Sequence, residues 1–112
     1  MHKIEAIIRP HLLDAVKEAL QQVGVSGMTV TEVLGVGRHE GHTETYRGGD
    51  YTVDFDSKVK VEVALPTEGL EAAMDAIVNT ARTWKRGDGR IFVSALEEVV
   101  RIRTGEYNEK AL

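Results

Sequence analysis

Basic side chains recur at alternate positions in two stretches of the chain that read as strands. Arg101 and Arg103 are two residues apart, as are Lys58 and Lys60, and residues two apart in a strand point to the same face. Rows of like charge repel each other unless an anion or acidic side chains neutralise them. An anionic ligand such as phosphate is one interpretation, because arginine matches the geometry of phosphate. The alternative is a solvated surface paired with acidic residues, namely Glu62, Glu97 and Glu98.

A glycine-containing turn, Gly87-Asp88-Gly89-Arg90, supports the anion hypothesis. Exposed backbone N–H groups of a tight turn can cradle an oxyanion, although so short a motif is weakly specific. The surrounding segment 82–103 holds six basic and three acidic residues in a chain whose net charge is -4. Trp84, the only tryptophan, borders the turn. It is expected either to cover a ligand or subunit interface, or to pack over the second predicted helix.

The longest predicted connection is a polar insertion over residues 37–55, GRHEGHTETYRGGDYTVDF. Most connections in compact domains take about 4–6 residues, and much longer ones are often functional. Tyr46 and Tyr51 are candidates for partner contact or modification, or else each rests on its own loop. His39 and His42 could ligate a transition metal, but paired histidines on a polar loop are more often just exposed. We therefore interpret the insertion as a partner-binding arm and assign it no metal.

Composition excludes several classes of function. The chain has 112 residues and no cysteine, which predicts one domain over residues 1–112 and excludes disulfides and thiol chemistry. No apolar run reaches the roughly 18 residues of a membrane span, and the negative net charge argues against general nucleic-acid binding. No nucleophile–base pair or carboxylate pair stands out, so we expect a protein that is not an enzyme. A cytoplasmic location fits the absence of cysteine and of a secretory signal.

Hydrophobic periodicity predicts the elements that position these residues. Period-two alternation predicts strands at 2–9, 28–36 and 58–65, and the segments 91–93 and 99–103 are also strand-like. Apolar residues at helical spacing predict helices over 12–23 and 70–81. The order β-α-β-β-α-β is that of a ferredoxin-like α+β fold.

Over nearly its whole length, the sequence resembles the PII nitrogen-regulatory signal-transduction proteins. The matching stretches occur in the family's order: KIEAIIRP at 3–10, GMTVTEVLGVGR at 27–38, GHTETYRGGDYTVDF at 41–55, KVKVEV at 58–63, ART at 81–83, GDGRIFV at 87–93 and VRIRTGE at 100–106. The resemblance implies a ferredoxin-like protomer in a homotrimer that binds ATP or ADP in clefts between subunits. It also implies a T-loop at about 37–55, a B-loop at about 82–90 and a C-loop at about 102–112.

The resemblance further implies roles for single residues. The nucleotide phosphates would be held by Gly37, Arg38, Gly87, Asp88, Gly89 and Arg90, with Arg101 and Arg103 reaching in from the neighbouring subunit. Thr29, Glu62 and Ala64 would surround the adenosine. A 2-oxoglutarate effector would lie near His39, Lys58 and Gly87. Arg47 and Tyr51 match residues that, in some members, enter an ammonium channel or are uridylylated.

Departures from the family pattern concern the second ligand. His39 stands where the family usually has a glutamine that helps coordinate the magnesium joining ATP to 2-oxoglutarate. Magnesium prefers oxygen ligands, whereas imidazole suits zinc, copper or nickel. Glu40 replaces the usual lysine, and Phe55-Asp56-Ser57 stands where FLP is typical, which is expected to loosen the foot of the loop. Nucleotide binding is therefore expected, while magnesium and 2-oxoglutarate stay open.

The sequence thus predicts a homotrimeric sensor that reads ATP against ADP and reports through its T-loop. Its partner would be a regulated protein such as an ammonium channel or an enzyme of nitrogen metabolism. The alternative is a divergent PII-like nucleotide sensor that responds to another small anion or a metal, in transport or carbon metabolism. A slow ATP-hydrolysing enzyme is the third hypothesis.

Overall fold

In a computed structural model, which describes residues 1–36, 43–45 and 52–112, the alternating segments form an antiparallel sheet. The strands are β1 (His2–Ile8), β2 (Thr29–Val36), β3 (Thr43–Thr45), β4 (Thr52–Leu65) and β5 (Arg90–Ala95). The helices are α1 (Leu13–Gln22) and α2 (Leu70–Ala81), and 3₁₀ turns occupy Pro10–Leu12, Thr67–Gly69 and Asn108–Ala111. The strand order is β2-β4-β1-β5, with β3 paired to β4. The ferredoxin-like α+β fold is confirmed.

The hydrophobic core lies on one face of this sheet, between the strands and the two helices. Alternation in β1 and β4 sends every second side chain inwards, and the helices add their apolar stripes. The buried residues are Ile4, Ala6, Ile8, Val59, Val61, Val63 and Leu65 from the strands, and Val16, Leu20, Ala73, Ile77 and Ala81 from the helices. The side chains between them, such as those of Lys3, Glu5 and Lys60, point to the opposite face. That outer face is where the predicted ligand-binding residues of β4 lie.

The fourth strand is longer than the sequence predicted. β4 runs from Thr52 to Leu65, and its residue Phe55 pairs with Val36 at the end of β2. The short strand β3 pairs with residues 52–54. Hence the last four residues of the predicted insertion belong to the sheet. Residues 37–42 and 46–51, which make up most of the T-loop assignment, lie outside the described residues.

The prediction of a strand over residues 99–103 was wrong. Only Val100 forms an isolated bridge, to Tyr107. The chain reverses between them, because the N–H of Gly105 donates to the carbonyl of Arg101 at 2.8 Å and the N–H of Arg101 donates to the carbonyl of Glu106 at 2.9 Å. Gly105 adopts φ +71°, a conformation that glycine reaches without strain. Arg101 and the residues after it therefore lie in a turn rather than on one face of a strand.

Candidate anion-binding site

The carboxylate of Asp88 holds the glycine turn closed. It accepts hydrogen bonds from the backbone N–H of Thr83 at 2.7 Å and of Trp84 at 2.9 Å, and also from the hydroxyl of Thr83. On its other side it accepts a hydrogen bond from Nε of Arg9 at 3.2 Å. One side chain thereby ties the beginning of the loop 82–90 to its end and to the strand beside it.

These hydrogen bonds lower the pKa of Asp88 far below its ordinary value of 3.8. The hydroxyl of Thr83 contributes most, partial burial opposes it, and the backbone N–H of Thr83 and the guanidinium of Arg9 lower the pKa further. The carboxylate is therefore ionised and committed to the loop. If Asp88 contacts a phosphate, it does so through its backbone N–H. Among the described residues, none accepts a hydrogen bond from the N–H of Gly87 or Asp88.

Sequence reasoning missed Arg9, which anchors the loop from the end of β1. Besides its ion pair with Asp88, its Nη2 donates to the carbonyl of Arg86 at 2.9 Å. Thr83 was missed as well. The position of Arg9 in the chain could have indicated this role. Because β1 and β5 are antiparallel neighbours, a residue directly after β1 must lie beside the segment that leads into β5. A basic residue there meets the carboxylate and carbonyls of the turn.

The two glycines of the turn are needed for different reasons. Gly89 has φ +106°, and a Cβ atom there would lie 1.7 Å from the carbonyl oxygen of Ile7. Gly87 has φ +93°, and its Cβ would lie 3.3 Å from Nη2 of Arg9 and 3.6 Å from Nζ of Lys58. Gly89 thus lets the backbone pass against β1, and Gly87 leaves room for two cationic side chains.

Lys58 links the turn to β4. Its Nζ donates to the carbonyl oxygen of Gly87 and lies 3.2 Å from Oδ2 of Asp56. The alternative interpretation, a solvated basic face, does not hold for this lysine, because its side chain is only 8% exposed. A buried ammonium is tolerated where hydrogen bonds and an opposite charge compensate for lost hydration. Gly87 and Asp56 supply both.

A cavity of about 670 Å³ opens between this turn, the end of β2 and the first half of β4. Its volume is within the range of small-molecule sites, roughly 300–1,000 Å³. Its lining carries three cationic side chains, one carboxylate and three apolar side chains. The lining residues are Ile7, Gly35, Val36, Asp56, Lys58, Arg86, Gly87, Gly89, Arg90 and Phe92. The structure therefore brings together four of the predicted site residues: Lys58, Gly87, Gly89 and Arg90.

The residues predicted to surround adenosine lie on the same outer face, farther along β4. Thr29 is the direct cross-strand partner of Glu62, and Ala64 follows two residues later on the same face. Glu62 lies 3.5 Å from Nζ of Lys60 and 3.7 Å from that of Lys3. The paired-surface alternative therefore holds for Lys60, whereas Lys58 belongs to the cavity.

The two C-terminal arginines do not line the cavity within one chain. Nη2 of Arg101 donates to the carbonyl of Leu112 at 3.1 Å, and its Nη1 lies 3.8 Å from Glu106. Arg103 is exposed. Their predicted approach from a neighbouring subunit stays a prediction.

Several predicted residues lie outside the described ranges: Gly37, Arg38, His39, Arg47 and Tyr51. The cavity reaches Val36, so the backbone enters the undescribed segment at its rim. Within residues 1–36, 43–45 and 52–112, no three histidine or carboxylate side chains gather as a metal site. The histidine pair considered for a metal also lies outside those ranges.

One of the two hypotheses for Trp84 was that it packs over α2, and this hypothesis is wrong. Its side chain is 82% exposed, its φ is +66°, and the guanidinium of Arg82 lies 4.2 Å from the ring centroid. Other large apolar side chains are exposed along the outer face, the sheet edges and the C-terminal segment. They include Leu34, Val36, Phe92, Val100, Ile102 and Tyr107.

The fold and the cavity together define a ferredoxin-like domain with a basic, glycine-lined pocket at the foot of a long insertion. The family model described as Nitrogen regulatory protein P-II matches residues 1–106. A protein named Nitrogen regulatory protein P-II from Rhodobacter capsulatus is 58% identical over 112 residues, covering all of both chains. One of the same name from Rhizobium meliloti (strain 1021) is 64% identical over 106 residues, covering 95% of each.

Nitrogen regulatory protein P-II 1 of Escherichia coli (strain K12) is 54% identical over 112 residues, again covering both chains completely. This chain belongs to the nitrogen regulatory protein P-II family. The resemblance inferred from its motifs is thereby confirmed, and these relatives are named as regulators rather than as enzymes. None of the helices in the described ranges is long and apolar enough to cross a membrane.

Proposed function

We propose that this protein is a signalling sensor that binds ATP and ADP in the basic cavity and regulates proteins of nitrogen metabolism. The observation that carries the proposal is the cavity itself. Lys58, Arg86 and Arg90 line it together with Gly87 and Gly89. Cations beside a side-chain-free turn suit a polyphosphate, which accepts hydrogen bonds from guanidinium groups and backbone N–H groups at once.

The adenosine would extend from the cavity along the outer face towards Thr29, Glu62 and Ala64. Thr29 and Ala64 are exposed there, and the apolar side chains of Phe92 and Ile102 are 52% and 99% exposed. A homotrimer would cover such surfaces and would place a neighbour's Arg101 and Arg103 within reach of the phosphates. We therefore propose a cleft between subunits as the complete site.

The signal would pass through the foot of the T-loop. Val36 is the last residue of β2, Asp56 follows directly after the insertion within β4, and both line the cavity with the turn. A ligand there contacts both segments, so a preference for one arrangement of the foot shifts which loop conformations dominate. The recipient would be a cytoplasmic enzyme of nitrogen metabolism or an ammonium channel. Magnesium and 2-oxoglutarate are left open, because the described lining offers a single carboxylate and position 39 holds histidine.

Titration calorimetry with ATP and with ADP tests the proposal. Arg103→Ala should weaken both nucleotides by about ten- to a hundredfold, the value of one charged hydrogen bond of roughly 1.5–3 kcal/mol. Lys17→Ala, on the exposed side of α1, removes the same charge away from the cavity and should leave affinity unchanged. Light scattering on the same samples should give three times the 12.3 kDa chain mass. A monomer, or equal affinities for both variants, would contradict the inter-subunit site.

One observation favours a different effector over 2-oxoglutarate as the second ligand. The ammonium of Lys58 is already paired with the carboxylate of Asp56. The second candidate function is therefore a nucleotide sensor of the same family whose additional ligand is another small anion or a metal. Repeating the ATP titrations with and without 2-oxoglutarate and magnesium discriminates the two functions.

A further inference from the structure

The cavity contains its own carboxylate. Asp56 is the one acidic side chain in the described lining, opposite three cations. Its Oδ2 lies 3.2 Å from Nζ of Lys58, and its side chain is 37% exposed. Lys58 and Asp56 are two residues apart in β4, so strand geometry points both side chains to the outer face. The carboxylate thus sits where the cavity would offer an anion its most buried cation.

Lys58 has little freedom to serve another ligand. Its side chain is only 8% exposed, and its ammonium also donates to the carbonyl oxygen of Gly87. An ammonium has three donors, and these contacts engage two of them. An entering carboxylate must therefore displace Asp56 or accept a position next to a like charge.

We propose that Asp56 is a built-in competitor for small carboxylates at Lys58, and that it makes the cavity select the polyphosphate of a nucleotide over a small dicarboxylate. The inference rests on the proposed function, because it concerns the same cavity. A nucleotide has Arg86, Arg90 and the turn available to its phosphates, so it does not depend on Lys58. A dicarboxylate of a few atoms has fewer donors within reach, and the Asp56 charge opposes it directly.

A different role for Asp56 predicts a different result. If its only task were to neutralise a buried lysine, its removal would destabilise the protein without tightening any ligand. If Asp56 competes, its removal destabilises the protein and also opens Lys58 to an external carboxylate. Affinity for a small dicarboxylate separates the two roles, whereas stability alone does not.

The experiment compares Asp56→Asn with Asp75→Asn by titration calorimetry of 2-oxoglutarate, with and without magnesium and ATP. Asparagine keeps the shape of Asp56 and removes its charge. Asp75 lies on the exposed side of α2, so the control removes one negative charge away from the cavity. Asp56→Asn should bind 2-oxoglutarate about tenfold or more tightly than the unaltered protein, the scale of one charge interaction near a protein surface. The control should match the unaltered protein in its affinity for both ligands, and in Asp56→Asn the affinity for 2-oxoglutarate should rise by a larger factor than the affinity for ATP.

Equal 2-oxoglutarate affinity in the unaltered protein and Asp56→Asn would overturn the inference, whether both bind tightly or neither binds. Circular dichroism verifies folding, and Asp56→Leu replaces Asp56→Asn if the amide variant fails to fold. Failure of ATP to bind any of the proteins would defeat the proposed function instead. The titrations without nucleotide would still decide whether Asp56 competes for the cavity.

Discussion

Replacement of Gly89 by alanine tests how closely the turn is fitted to β1. A Cβ atom at this position would lie 1.7 Å from the carbonyl oxygen of Ile7, and 2.8 Å from its carbonyl carbon. Both contacts are with backbone, so no side chain can rotate away to make room. Since ordinary van der Waals contact begins near 3.4 Å, the distance between the Cβ atom and the carbonyl oxygen must about double. The loop has to move off the strand.

Two terms contribute to the expected loss of stability. A non-glycine residue at positive φ costs roughly 1–2 kcal/mol. Moving the loop also strains the start of β5, where Arg90 pairs with Ile7, and each backbone hydrogen bond lost there costs about 1 kcal/mol net. Gly89→Ala should therefore lose about 3 kcal/mol or more, a large fraction of the roughly 5–15 kcal/mol that stabilises a typical domain.

The chain provides a matched control for the first term. Gly24 has φ +90°, and a Cβ there would meet nothing within 4 Å. Gly24→Ala should therefore lose only the roughly 1–2 kcal/mol of the conformational term. Urea unfolding followed by circular dichroism measures both, at one protein concentration because subunit assembly would add to stability. Equal losses in the two variants would refute the close approach of Gly89 to Ile7.

Two further predictions concern the turn and the foot of the T-loop. Because the folded-state pKa of Asp88 is depressed below 3.8, its ionisation stabilises the fold fully only well above pH 3.8, and this stabilisation is lost progressively as the pH falls towards the folded-state pKa. The stability difference between the unaltered protein and Asp88→Asn should thus be constant above roughly pH 5 and shrink below about pH 4 in urea titrations; a difference that grows on acidification would contradict this. His39→Gln combined with Glu40→Lys should strengthen 2-oxoglutarate binding with magnesium and ATP, because an amide oxygen suits magnesium better than imidazole. Unchanged calorimetric titrations would show that these positions do not limit the second ligand.

The core of the fold could be predicted from local pattern alone. Alternation in β1 and β4 and the helical spacing of α2 reflect which side chains are buried, so the βαββαβ order followed directly. The strand expected over 99–103 failed because alternation does not show whether a partner strand is available. There, Gly105 reverses the chain and the segment bonds to itself.

The site was predicted less completely than the fold. The glycine turn and Lys58 were identified, but the burial of Lys58 depends on Gly87, 29 residues later in the chain. Arg9 and Asp88 are 79 residues apart, and neither shows in sequence that it has a charged partner. Contacts of this kind follow from the pairing of β1 with β5, so only the assembled sheet identifies them.

The contacts of Lys58 also bear on how a cavity ligand would change the arm. The same ammonium bonds to the carbonyl of Gly87 in the turn and to the carboxylate of Asp56 beside the insertion. A ligand that attracts it weakens at least one of these bonds, whereas a ligand held by Arg86 and Arg90 can leave both intact. Two ligands could therefore occupy one cavity and bias the foot of the arm differently. A sensor requires such a difference, because a ligand that interacts equally with two conformations of the arm does not shift the equilibrium between them. If the cavity binds ligands as proposed, the balance between Gly87 and Asp56 at Lys58 would determine which ligand is reported to the partner.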